Sequence, residues 1–183
     1  YTEVDTLSLH DALPILPEVA KYWNQVVALN TWQQDRIYKI VLEKLFGTVN
    51  GKNIAILGFS FKANTNDTRE SPAIRISSDL LEEGALLSIY DPKVSFERIK
   101  EDFEKFVFND QGIWKKAKSI PDALKNADAV LILTDWEEFF GLDWNYLASL
   151  MRSPAWIFDT RSVVKREEIE SSGLNLWKLG EGS

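Results

Sequence analysis

The sequence predicts an α/β fold: a Rossmann-like parallel sheet with helices on both faces, preceded by a long helix. Three observations carry this. Ile54, Ala55, Ile56 and Leu57 form a short continuous apolar run closed by Gly58, which is how a strand buried on both faces of a parallel sheet reads. Similar short runs alternate with segments of helical spacing to the end of the chain, the pattern of right-handed βαβ crossovers. Ahead of them, residues 16–46 place apolar side chains three and four positions apart.

Taken in order, residues 1–15 lack the charged start and small-residue cleavage site of a signal peptide. They contribute nothing to the fold argument, and His10 within them is given no role. Residues 16–46 are expected as helix. Val19, Tyr22, Trp23, Val26, Val27 and Leu29 begin the pattern, and Ile37, Ile40, Val41, Leu42, Leu45 and Phe46 resume it. Gly47 is the expected left-handed stop and Gly51 a second break. After the first strand, Ser71 offers an N-cap oxygen and Pro72 a first helical position. A helix is therefore expected over 72–83, closed by Gly84. A strand over 86–90 ends at Asp91-Pro92. A helix follows over 96–106, a third strand over 114–118 and a helical turn over 121–126. A buried fourth strand covers 129–133, then come a helix over 142–151 and a fifth strand over 155–158. A helix over 166–172, stopped by Gly173, leads to a last strand over 174–179.

Composition narrows the function. The 183 residues suffice for one domain with a full core and one further element. A net charge of −7 with no basic run argues against nucleic acid as a partner. No apolar stretch approaches the roughly 18 residues that would suggest a membrane span. The absence of cysteine removes disulfides and thiolate metal sites and makes a cytoplasmic setting the default. One histidine leaves little for a zinc site or a Ser-His-Asp triad.

The chemistry points to one edge of the sheet. Thirteen residues, 59–71, separate the first strand from its helix, whereas loops in α/β units usually run about 2–6. This loop carries Lys62, Arg69 and a helix N-terminus, all anion-binding parts, at the carboxyl end of a strand, where open sheets bind ligands. Thr134 and Asp135 follow the fourth strand and Arg161 the fifth, so all converge on the same side. An arginine fork and a lysine point charge suit a diphosphate. Asp91, at the end of the second strand, has two readings. An acidic residue there can bond a ribose, although its spacing from Gly58 exceeds the usual ~20 residues; Asp-Pro is also ordinary turn chemistry.

The run G-F-S-F-K-A-N-T-N-D-T-R-E-S-P-A-I, starting at Gly58, is similar to the signature G-F-A-F-K-x-x-T-x-D-T-R-E-S of the UDP-glucose 6-dehydrogenase family, within the UDP-glucose/GDP-mannose dehydrogenase superfamily. The resemblance continues through I-Y-D-P-K-V at Ile89, L-T-D-W-E-E-F at Leu133 and P-A-W-I-F-D-T-R at Pro154. It covers nearly the whole chain except its first fifteen residues. It implies that residues 16–47 are part of the central dimerisation helix and 52–183 the C-terminal UDP-binding domain. The implied activity is NAD-dependent oxidation of UDP-glucose to UDP-glucuronate. The alternatives are a UDP-N-acetylhexosamine dehydrogenase fragment or an autonomous nucleotide-binding or dimerisation module.

By the same resemblance, Phe61 and Lys62 contact the UDP-sugar and Arg161 binds it from the far side. Arg69 reaches NAD, which is held mainly by the family's N-terminal domain. Asp67 and Glu70 orient the loop, and Trp136 and Trp156 are core aromatics. The family's second oxidation uses a catalytic cysteine, and these 183 residues contain neither a cysteine nor a G-x-G-x-x-G. The chain is therefore expected to be a C-terminal piece of the enzyme, inactive by itself, binding UDP-sugar and self-associating through its first helix.

Overall fold

The computed structural model describes residues 17–106 and 112–181; the segment 1–15 set apart above lies outside them. The chain divides into two compact units, Tyr1–Ile37 and Tyr38–Ser183. Helix α1, Pro17–Lys44, runs through that division. Within the first unit it carries Tyr22 edge-on to Trp23, ring centroids 5.6 Å apart, and Arg36 over the face of Trp32 at 5.8 Å. Val19, Tyr22, Trp23, Val27, Leu29 and Trp32 are exposed.

In the second unit Val41 in the last turn of α1 and Leu45 just beyond it are buried. The helix ends in a Schellman arrangement: Gly47 N donates to Leu42 O at 2.7 Å and Phe46 N to Glu43 O at 3.2 Å. The left-handed C′ position is thus Phe46, with φ 66°, one residue before the expected Gly47. Gly47 also has positive φ, so the sequence signal identified the stop but not which residue takes the strained conformation.

The sheet follows as expected, with six parallel strands in the order β3-β2-β1-β4-β5-β6. The strands are β1 Asn53–Leu57, β2 Leu86–Tyr90, β3 Ile113–Lys116, β4 Ala129–Ile132, β5 Trp156–Asp159 and β6 Asn175–Lys178. β1 lies at the centre, with Leu57 opposite Tyr90 of β2 and Ile132 of β4. Ile54 to Leu57 are all essentially buried. Each large aliphatic so buried contributes roughly 1.5–3 kcal/mol.

Alternation along β1 sends its side chains to two cores. Ala55 and Leu57 join Val130, Ile132 and Ile157 beneath α4 (Ile120–Leu124), α5 (Trp144–Leu150) and α6 (Arg166–Ser171). On the other face, α2 (Pro72–Glu82) packs with α3 (Phe96–Phe106). Ser71 caps α2 as expected, its hydroxyl accepting from Ala73 N at 3.3 Å. Most expected boundaries move by one or two residues, and in two cases the contacts show why. β3 starts at Ile113, whose N–H pairs with Ala85 O at 3.2 Å, and stops before Ser119, the cap of α4. α5 starts at Trp144 because Asp143 takes the N-cap, accepting from Tyr146 N.

Candidate functional site

The strand order reverses between β1 and β4, so the switch point where open sheets bind ligands lies outside the carboxyl ends of these two strands. Gly58 opens the edge. Its φ is +88°, and a Cβ there would meet Thr134 Cβ at 2.4 Å and Thr134 N at 2.8 Å. Only glycine admits this close approach of the β1 and β4 exits. The β4 exit then reaches across: Thr134 Oγ1, fully buried, donates to Ser60 O at 2.7 Å.

The loop 59–71 is pinned along its length. Phe59 is buried and meets Phe103 of α3 edge-on at 5.5 Å. Phe61 and Lys62 then turn outward and are exposed. Phe61 N donates to Asp67 O at 2.8 Å, folding the loop onto itself. Thr68 is fully buried: its hydroxyl donates to Asp102 Oδ2 at 2.5 Å and accepts from Arg98 Nε at 2.7 Å. Arg98 and Asp102 are ion-paired along α3 at 3.1 Å.

Arg69 is chelated by Asp67, with Nε at 3.0 Å from Oδ1 and Nη2 at 2.7 Å from Oδ2, and its backbone N also donates to Oδ1. These side-chain and backbone hydrogen bonds from Arg69 pull the Asp67 carboxyl down to about 2, and the same contact raises Arg69. The Arg69 side chain as a whole remains 82% exposed. Asp67 thus holds Arg69, its neighbour two residues on, within the loop. Glu70 has positive φ (58°) and is exposed.

Arg161 is presented by a second clamp. Asp159, the last residue of β5, is fully buried and accepts from Arg161 N and Val164 N, both at 2.9 Å. From that turn Arg161 Nε reaches Leu133 O at 2.8 Å. A neutral carbonyl holds the side chain without cancelling its charge. The exit of β4 is therefore bracketed: Ser60, two residues before Lys62, is bonded to Thr134, and Arg161 is bonded to Leu133.

Asp91 resolves in favour of structure. It is buried and its carboxylate accepts from Phe59 N, Ser60 N, Lys93 N, Val94 N and Trp136 Nε1, so it faces inward rather than towards a ribose. Trp136 is a core aromatic as expected, whereas Trp156 is half-buried, stacked with Phe158 and under Lys44. Asp135 is exposed. Sequence reasoning passed over Lys93, whose Nζ donates to Asn64 O at 3.3 Å and lies 5.7 Å from the Trp136 ring. Its signal was a lysine two positions after the strand-ending Asp91.

Residues 55–166 match the model of the UDP-glucose/GDP-mannose dehydrogenase family, UDP binding domain. The chain is similar to a UDP-glucose 6-dehydrogenase of Drosophila melanogaster, 43% identical over 171 residues, covering 91% of this chain and 36% of the relative. It is 39% identical over 180 residues to UDP-glucose 6-dehydrogenase 1 of Arabidopsis thaliana, covering 91% and 37%. It thus spans little more than a third of the length of these relatives. A UDP-D-ManNAc dehydrogenase from Pyrococcus horikoshii shares its fold at a TM-score of 0.60 and 25% identity, over 80% of this chain and 30% of that one. A UDP-glucose dehydrogenase from the archaeon Pyrobaculum islandicum does so at 0.67 and 22% identity, over 93% and 35%.

Proposed function

The chain belongs to the UDP-glucose/GDP-mannose dehydrogenase family and carries its UDP binding domain, and from that premise we propose that it holds the UDP-sugar during NAD-dependent oxidation of UDP-glucose to UDP-glucuronate. The observation that supports this reading is Arg161 held by Leu133 O at the exit of β4, with the loop that carries Lys62 tied to the same exit through Ser60 O and Thr134. An arginine held at one strand end and a lysine on the loop bonded to it suit a diphosphate, the arginine as a fork and the lysine as a point charge.

In this reading Phe61 lays its exposed ring against the ligand, Lys62 meets it from the β1 side and Arg161 from the β5 side. Asp159 and the Leu133 carbonyl keep Arg161 in place before ligand arrives, which lowers the ordering cost of binding. Arg69 fits one charged contact to a dinucleotide, because Asp67 holds its Nε and Nη2 while the side chain stays open to solvent. Hydride acceptance is the chemistry NAD supplies when bound. A UDP-N-acetylhexosamine is the second substrate reading, supported by the likeness to the Pyrococcus horikoshii protein. Residues 16–47 act as a self-association helix in the same reading, supported by the exposed Tyr22, Trp23 and Trp32. A cytoplasmic setting also belongs to it. No helix among the described residues is long and apolar enough to cross a membrane.

Calorimetry with UDP tests the core of this. Lys62→Ala and Arg161→Ala should each cost about 1.5–3 kcal/mol, a charge-assisted contact, or roughly 10–150-fold in Kd. In the whole enzyme Arg69→Ala should weaken NAD more than UDP-sugar. Equal losses for both ligands in all three variants would refute the assignment. Sedimentation showing a clean monomer at high concentration would remove the self-association claim.

A further inference from the structure

We propose that Asp91 is the positioning residue of this site: its buried carboxylate sets the loop that presents Phe61 and Lys62 and ties it to the β4 exit that holds Arg161. The proposal rests on the UDP-sugar reading of those three residues. An ordinary turn after β2 needs only one carboxylate oxygen, and Oδ1 fills that task, accepting from Lys93 N and Val94 N at 2.9 Å each. Oδ2 does something the turn does not require. It accepts from Phe59 N at 2.8 Å, Ser60 N at 3.0 Å and Trp136 Nε1 at 3.1 Å. Three loops that leave three different strands therefore converge on one carboxylate that is 2% exposed.

The donors explain the choice of residue. A carboxylate is acceptor-only, with about four lone-pair sites. An amide of the same shape would turn an NH2 group against N–H donors on one side or the other. The donors also sit where direction is decided. Phe59 and Ser60 immediately precede Phe61 and Lys62, so fixing their N–H groups fixes the angle at which the next two side chains leave the sheet. Trp136 lies three residues beyond Leu133, whose carbonyl holds Arg161. Dinucleotide folds can spend the acid at this strand end on a ribose; here it faces inward and sets the binding loop.

The test uses the 183-residue chain, with UDP calorimetry and backbone 15N order parameters. Asp91→Asn should bind UDP at least tenfold more weakly and show lowered order at Phe61 and Lys62. Trp136→Phe removes one donor and keeps an aromatic core, and should show the same changes at several-fold in affinity. Asp128→Asn is the control. Its carboxylate serves Asn53 N and Arg152 at the opposite end of β1, so it should lower the melting temperature while UDP affinity stays within twofold. Asp91→Asn binding UDP within twofold of the parent, with Phe61 and Lys62 as rigid as before, overturns the proposal. If Asp91→Asn does not fold, the same result in Trp136→Phe overturns it. If the parent chain takes no UDP, the site reading falls, and the order parameters of Phe61 and Lys62 decide the positioning role by themselves.

Discussion

Gly58→Ala should be among the most damaging single-methyl changes in this protein, and its cost can be separated into two parts. The first is conformational. At φ +88° an L side chain is strained, by roughly 1–2 kcal/mol. The second is steric. The new methyl would lie 2.4 Å from Thr134 Cβ, 2.7 Å from its Oγ1 and 2.8 Å from its backbone N. The backbone atom cannot swing away, so β4 must shift, and overpacking of this kind costs about 1–3 kcal/mol. The sum is roughly 2–5 kcal/mol. For a domain of about 150 residues, each kcal/mol moves the melting temperature by about 2–4 °C, so a loss on the order of 10 °C is expected. Gly141→Ala supplies the control: its φ is +69° with nothing within 4 Å of the built methyl, so it carries the first part only. Thermal melts followed by circular dichroism compare the two. Because Thr134 Oγ1 also holds Ser60 O, Gly58→Ala should weaken UDP binding as well. If the two variants melt within a degree of each other, close approach of β1 and β4 is not why this position is glycine.

Two further outcomes are expected. Thr68→Val keeps the shape of the side chain but takes a donor from Asp102 and an acceptor from Arg98; it should cost about 1–3 kcal/mol in urea unfolding, and a loss under half a kcal/mol would mean the buried hydroxyl does not anchor the loop. Asp67 titrates at about 2 in the fold against a reference of 3.8, so its ionised form is favoured by folding. Its contribution is complete above about pH 5 and is lost progressively as pH falls from there through about 2. A carboxyl-carbon NMR titration with a midpoint near 3.8 would show that the Asp67–Arg69 clasp does not form.

What the sequence determined by itself was local or periodic. The apolar run Ile54–Leu57 reads as a strand covered on both faces, and Ser71-Pro72 as the start of a helix, because a buried strand and a helix cap are written in adjacent residues. The alternation of such units implied the parallel sheet, and a thirteen-residue loop at a strand end marked the candidate site before any contact was known. Even locally the reading was incomplete, for Phe46 and not Gly47 takes the C′ position of α1. The tertiary structure decided which polar groups at the carboxyl edge of the sheet stay open and which are bonded inward. Nothing adjacent to Asp91 says that its carboxylate turns inward to Phe59, Ser60 and Trp136, 31 to 45 residues away. Nor does anything near Arg161 announce the Leu133 carbonyl 28 residues back, or anything near Thr134 the Ser60 carbonyl 74 residues back. Those partners exist only because β2 and β4 flank β1 and β5 lies beside β4. Hydrophobic periodicity says that a segment is a strand and which way its side chains alternate. The order of strands is set by how all the helices close over both faces at once, and a buried acid becomes a clamp only when that order brings unpaired N–H groups to it.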